Sequence, residues 1–197
     1  YNTNFTYTNN AGKNVSIKYS KAFMEAAAAS RVSPYHLASR VKQEVVISST
    51  MMSSSVSGNV AGYKGIYNFY NIGANSGANA VKNGLKWAST GTDYSRPWNN
   101  RYRSIYGGAC YIGKQYINVG QNTLYLQKFN VTATKRYDHQ YMANIEAPNN
   151  EATKTANAYG SDKDNTPIVF SIPVYNNMPV SACDIPSGGK NPNNYLK

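Results

Sequence analysis

The spacing of apolar and polar positions divides the chain into an extended start, a helical middle and an irregular end. In residues 1–19, Phe5 and Tyr7 and then Val15, Ile17 and Tyr19 recur at every second position. Period two marks extended chain with one packed face, so this stretch predicts an arm or short strand pair laid on the main body. The period then lengthens to that of a helix. Ser20 stands as an N-cap ahead of a helix to about Arg31, with Phe23, Met24 and Ala27 on one face. Ser33-Pro34 starts a second helix, to about Val46, because proline fits the first helical position, where the N–H has no helical partner. Asn75 or Ser76 caps a third, through Ala78, Val81, Leu85 and Ala88, which Gly91 ends. Shorter helices are predicted over 101–107, 109–118, 138–146 and 150–159. Residues 48–65 are mostly Ser, Met, Val and Gly around the turn Ser57-Gly58-Asn59 and predict a loop or β-lobe. Residues 167–175 read as an edge-like extended segment, because its prolines remove ladder donors. The result is a mainly α (α+β) chain: an N-terminal arm over 1–19, one domain over 20–185 and a loose tail over 186–197.

Composition narrows the class. A chain of 197 residues suits one domain with a real core. Twenty Lys and Arg against nine Asp and Glu leave a net charge of +11, which predicts attraction to polyanions. The cations are scattered singly (Lys13, Lys42, Lys64, Lys86, Lys128), with Arg101–Arg103 the nearest to a cluster, and no nucleic-acid module occurs. An anionic cell surface, such as cell-wall polymers, fits this better than nucleic acid. Eighteen tyrosines among many asparagines suit carbohydrate, since flat rings stack on sugar faces and amides bond hydroxyl and acetamido groups. Cys110 and Cys183 lack metal-ligand spacing and form either one disulfide or two thiols. His36 and His139 are too few and too far apart in sequence for a zinc site, no Gly-x-Ser-x-Gly elbow occurs, and no metal or cofactor is implied. No apolar run reaches the ~20 residues of a membrane span. The start at Tyr1, without a signal peptide, reads as a piece of a longer secreted protein.

One residue stands out on the second helix. At 100° per residue Leu37, Val41, Glu44 and Val45 share a face, with Glu44 within about 20° of Leu37, while Lys42 and Gln43 fall off it. The helix's only carboxylate therefore points inward, toward core or cleft. In apolar surroundings a carboxyl holds its proton to higher pH, the state a general acid needs. The structural alternative is a buried glutamate paired with Arg40, Lys42 or a backbone donor.

The text around Glu44 has a counterpart. Ser39-Arg40-Val41-Lys42-Gln43-Glu44-Val45, then Tyr67-Asn68-Phe69-Tyr70-Asn71-Ile72-Gly73-Ala74, resembles the endo-β-N-acetylglucosaminidases of glycoside hydrolase family 73, and more closely the glucosaminidase-type autolysins of Bacillus and clostridia. The resemblance continues through Arg96-Pro97-Trp98-Asn99, Gly107-Gly108-Ala109, Gly120 to Tyr125, Gln127 to Val131 and His139-Gln140-Tyr141-Met142, over about residues 20–180. It implies a lysozyme-like helical body with a small β-lobe flanking a cleft. It implies a secreted, wall-associated enzyme acting on peptidoglycan glycan strands at the GlcNAc-β-1,4-MurNAc bond. Glu44 would be the general acid and Tyr70 would border the scissile bond. Asn71 and Gly73 would shape the turn presenting Tyr70, and Tyr67, Asn68 and Phe69 would line the same wall or pack in the core. Gln140 and Tyr141 would contact substrate. Trp98 is either core or a sugar platform, His139 an anchor or a cleft residue.

One departure from the family's pattern bears on mechanism. Many relatives carry a second acid between the catalytic helix and the Tyr-Asn motif, whereas residues 45–73 here contain none, and Lys64 precedes Gly65-Ile66-Tyr67. Asp93 and Asp138 are candidate second acids. The alternative is substrate assistance, in which the 2-acetamido oxygen attacks C1 and no protein nucleophile is needed. A muramidase or lytic transglycosylase on the same scaffold, or a non-catalytic wall-binding module, are the competing functions.

Overall fold

The computed structural model describes residues 2–75, 77–133, 136–141 and 145–181. The possible cap Ser76, Met142, Cys183, Asp184 and the tail over 186–197 lie outside them, and so does any pairing of Cys110 with Cys183. The chain falls into two compact units, Tyr1–Gly120 and Gln121–Lys197.

The first unit is helical with one two-stranded sheet. β1 (Asn4–Thr8) and β2 (Asn14–Lys18) pair antiparallel, Phe5 opposite Ile17 and Tyr7 opposite Val15. The strand pair predicted for the arm is thus a hairpin, with Phe5 and Ile17 facing the core. α1 (Tyr19–Ser30) follows at once and buries Ala22, Phe23, Ala26 and Ala27; Met24, assigned to that face, is 58% exposed. Its small inner residues let α4 (Arg101–Gln115) lie close alongside. α2 (Pro34–Val45) starts at proline as the pattern predicts and buries Leu37, Arg40, Val41 and Val45. α3 (Ala80–Ser89) begins after Asn79, several residues later than the predicted caps.

α4 is one continuous helix where two short ones are expected. Gly107 and Gly108 read as a break, yet both lie inside it and are buried. A Cβ at Gly107 would run into the Tyr94 carbonyl and the Trp98 indole, and one at Gly108 into the Tyr70 ring. Close approach, rather than a turn, explains the pair. The predicted β-lobe over 48–65 holds no full strand: Val46 and Met52 form an isolated bridge, Ser54–Val56 is a 3-10 turn, and the rest is turns.

In the second unit α5 (Leu124–Phe129) is capped by the Thr123 hydroxyl, which accepts from the Leu126 N–H, and α6 (Ala147–Tyr159) packs with it. The helix expected over 138–146 is not formed in its described residues, and among the described residues 167–175 pairs with no strand. Among the described residues no helix is long and apolar enough to cross a membrane.

Candidate active site

Glu44 lies in the last turn of α2. The helical wheel puts it between Arg40 and Leu37, both buried, yet Glu44 itself is half-buried. Val45, beside it in the same last turn, is fully buried, so the core covers one side of this helix end and leaves the Glu44 side open. The carboxylate is therefore neither sealed in the core nor on the outer face. One residue before Leu37, His36 is held low, near a pKa of 4, by burial and by the Arg40 guanidinium beside it.

Asn71 ties the aromatic motif to this helix end. Its Nδ2 donates to the Glu44 carbonyl at 2.6 Å and stands 3.5 Å from Glu44 Oε2. The terminal carbonyls of a helix lack intrahelical donors, and Asn71 supplies one while placing an amide beside the carboxylate. It does so from a left-handed backbone, φ 49°, which asparagine tolerates better than most residues. Gly73, φ 75°, packs against Trp87 so closely that a Cβ would meet that side chain at 2.7 Å. These two positive-φ residues make the turn as the motif implies.

The rest of the motif is a scaffold. Asn68 is fully buried; its Nδ2 donates to the carbonyls of Ile72 (2.8 Å) and Gly84 (3.0 Å), and its Oδ1 accepts from the Ile72 N–H. It therefore pins the turn to α3 instead of lining a sugar-contacting wall. The Phe69 N–H donates to the Ser104 hydroxyl of α4, and the Tyr67 N–H to the Trp98 carbonyl. Tyr70 is 1% exposed, its ring against Gly108. Tyr70 is thus packed inside the fold, next in sequence to Asn71, the residue that reaches Glu44. Tyr67 is half-buried, beneath the Arg101 guanidinium at 5.0 Å.

Trp98 is core and not a platform. It is fully buried, its Nε1 donates to the Tyr94 carbonyl at 2.9 Å, and it meets Trp87 edge-on at 5.2 Å. The proline-rich connector that suggested an exposed ring instead carries the ring inward.

A cavity of about 740 Å³ opens beside α2, lined among others by Tyr19, Phe23, Lys42, Val46, Phe69 and Arg101. Lys42 and Val46 lie two residues before and after Glu44. Arg101 and Lys42 bring two cations to this cavity, a feature that single cations on helices do not signal in the sequence. Phe69 lines this cavity, whereas Glu44, Tyr67, Asn68 and Tyr70 are not among its described lining residues.

The candidate second acids differ from Glu44 in setting. Asp93 is exposed and pairs with Arg96 at 3.8 Å. Asp138 is exposed in the second unit, its carbonyl accepting from the Asn130 amide. There too, Gln140 Oε1 lies 3.4 Å from Lys128 Nζ, and the Tyr141 N–H donates to the Gln127 carbonyl. His139 Nδ1 meets Gln121 Oε1 at 3.0 Å, so the histidine anchors its own loop. On α4 the Cys110 thiol is pushed up by burial, away from nucleophilic character.

Comparison with known proteins follows the same line. The chain is 30% identical over 168 residues to a β-N-acetylglucosaminidase of Bacillus subtilis, covering 84% of this chain and 18% of that protein. It is 32% identical over 109 residues to a bifunctional autolysin of Staphylococcus epidermidis, covering 55% of this chain and 8% of the relative. Two crystal structures of S. aureus autolysin E superpose with a TM-score of 0.55, at 25% and 26% identity, over 73% of this chain and 59% and 60% of theirs. The second of these holds the muropeptide NAM-L-Ala-D-iGlu. No family model matches the chain. The chain belongs to the glucosaminidase family of autolysins, glycoside hydrolase family 73. Its fold is the lysozyme-like fold of the family's catalytic domains, mostly helical with one small sheet. The chain spans less than a fifth of the length of the curated relatives it matches.

Proposed function

We propose that this domain is a peptidoglycan hydrolase that cuts glycan strands after N-acetylglucosamine, with Glu44 as general acid. The observation that carries the reading is the setting of Glu44: a half-buried carboxylate at the end of α2 with the Asn71 amide beside it. The related structure with a bound muropeptide and the relative named for glucosaminidase activity supply the substrate class. In the reaction, Glu44 gives its proton to the O4 of the leaving N-acetylmuramic acid as the C1–O4 bond breaks. The 2-acetamido oxygen of N-acetylglucosamine forms the new bond to C1. Water then opens the cyclic oxazolinium at C1, and the Glu44 carboxylate takes up the water proton, restoring the acid.

Substrate assistance is favoured over a protein nucleophile by the acids near the site. Residues 45–73 have no carboxylate, and Asp93 is exposed and paired with Arg96. Asp138 remains the alternative base. Tyr70, being buried, acts as a positioning residue that seats Asn71, while Gln140 and Tyr141 are the sugar contacts the motif proposes. Asn68 and Trp98 hold the frame. The +11 charge suits association with anionic wall polymers outside the cell.

Glu44→Gln keeps the shape and removes the acid. It is expected to lower lysis of purified walls by roughly 10²–10⁴-fold, with circular dichroism unchanged. Activity above a tenth of wild type in the folded variant overturns the assignment. Mass spectrometry of the products, showing a reducible N-acetylglucosamine end, separates the reading from a muramidase or a lytic transglycosylase.

A further inference from the structure

The N-terminal hairpin and the start of α4 enclose a second groove that the proposed reaction does not use. Its volume is about 380 Å³, within the ordinary span of about 300–1,000 Å³ for small-ligand sites, and none of its residues lines the larger cavity. It is walled by tyrosines and amides. Tyr7 and Tyr102 lie parallel, 4.6 Å apart and 3° from coplanar, and Tyr106 continues the stack at 5.9 Å and 21°. Asn9, Asn10 and Asn100 stand around these rings, with Arg103 beside them.

We propose that this groove is an auxiliary glycan-binding site, which takes N-acetylated sugar residues of a polysaccharide strand on a tyrosine platform. The platform is held in place before any ligand arrives. The Tyr102 hydroxyl donates to Glu25 Oε2 at 2.8 Å, and Arg103 Nε donates to the Ser95 carbonyl at 3.1 Å. Asn9 Oδ1 accepts from the N–H groups of Ala11 and Lys13, each at 3.0 Å, which orients the carboxamide and leaves its NH₂ as the donor. Pre-set rings and amides cost little ordering when a ligand binds. All three tyrosines are partly exposed and Asn10 reaches solvent, while Asn100 is fixed by its Oδ1, which accepts from the Arg103 N–H at 2.8 Å. Flat rings suit the apolar faces of pyranoses, while amide and guanidinium N–H groups suit acetamido and hydroxyl oxygens.

The charge pattern sets the ligand class. Among the described residues the groove is lined by one cation, Arg103, and no carboxylate. A nucleic acid strand also stacks on tyrosine, but it needs several cations along its backbone. An uncharged chain of N-acetylhexosamine needs none. A second contact on an insoluble polymer would keep the enzyme near its next bond by raising the effective concentration. That benefit rests on the hydrolase reading above; the binding itself does not.

The test is a titration of ¹⁵N-labelled protein with N-acetylchitotetraose, followed by NMR, carried out on the Glu44→Gln variant so that the ligand is not consumed. Saturable shifts are expected at Tyr7, Asn9, Asn100 and Tyr106. They should weaken at least fivefold in Tyr106→Ala and in Asn10→Ala, an exposed turn position that the fold does not need. They should change little between 0.1 and 1 M salt. Absence of shifts at the groove, or unchanged affinity in both folded variants, overturns the proposal. Tighter binding of an oligothymidylate at the same residues, lost at high salt, also overturns it and makes the groove a nucleic-acid site. If Glu44→Gln proves active on walls, the hydrolase reading fails while the groove titration keeps its meaning.

Discussion

Two regions of the first unit draw on the same residue types and bury them to different degrees. The Tyr67–Gly73 turn with Trp98, and the Tyr7–Tyr102–Tyr106 face with its asparagines, are both aromatic rings set among amides. In the turn the amides are spent on backbone: Asn68 bonds Ile72 and Gly84, and Asn71 bonds the end of α2. Two of its rings are sealed, Trp98 and Tyr70, at 0% and 1% exposure. On the hairpin face the rings stack on one another at the surface, Tyr102 bonds Glu25 through its hydroxyl, and Asn9 and Asn100 accept from nearby backbone N–H groups. The physical lesson is that tyrosine and asparagine suit sugars and suit buried turns equally well. Burial decides between them, and burial belongs to the fold.

That contrast is broken most directly at Trp98. Trp98→Ala is expected to destabilise the domain by roughly 3–5 kcal/mol, since it empties a fully buried site, and denaturant unfolding would read it. A loss below about 1 kcal/mol, with wall binding impaired, would return Trp98 to the sugar-platform role. The buried side also carries a pH signature. His36 has a folded pKa near 4, below its ordinary 6.5, and among the described residues its Nε2 is buried without a hydrogen-bond partner. The unfolded chain therefore takes up this proton first. The stability that neutral His36 contributes is full above about pH 6.5 and is lost as pH falls toward 4, by up to about 3 kcal/mol. Unfolding midpoints at pH 7 and 4.5 should show the drop, and His36→Leu should reduce it.

Smaller effects sharpen the comparison. Gly108→Ala pushes a methyl into the Tyr70 ring and should cost roughly 1–2 kcal/mol, because overpacking outweighs the gain in helix propensity. Asn71→Gly keeps the positive φ and removes the amide beside Glu44, so it should cost only about 1 kcal/mol in stability. Its turnover on walls should nonetheless fall at least tenfold with KM little changed, a split that a purely structural role would not give. Last comes Tyr106→Ala, at most about 1 kcal/mol, because a surface stack is all it loses.

The motif around residues 67–74 was legible because its chemistry is local. Asn and Gly at positions that need left-handed backbone, and a run of aromatics, can be read in order. The start of α2 was equally legible from Ser33-Pro34. Its inner face could be drawn on a wheel, but a wheel does not show what packs over each position, so it placed Glu44 in apolar surroundings where the structure buries Val45 and half-opens Glu44. Gly107-Gly108 was misread as a break for a similar reason: nothing local says that Trp98 and Tyr70 press against that stretch of α4. The boundaries of α3 and the missing helix over 138–146 reflect weak caps, which packing overrides.

By itself, then, the sequence determined the helical class, the hairpin arm, the identity of Glu44 as the one inward carboxylate of its helix, and the motif that ties the chain to its family. These depend on period, backbone preference and residue order, all of which are carried along the chain. Only the tertiary structure decided that Asn71 reaches Glu44 across 27 positions, that Trp98 and Tyr70 are sealed while Tyr106 is not, and that Lys42 and Arg101 face one cavity. Those facts arise from segments distant in sequence meeting in space, and a side chain's exposure is set by what arrives from elsewhere to cover it.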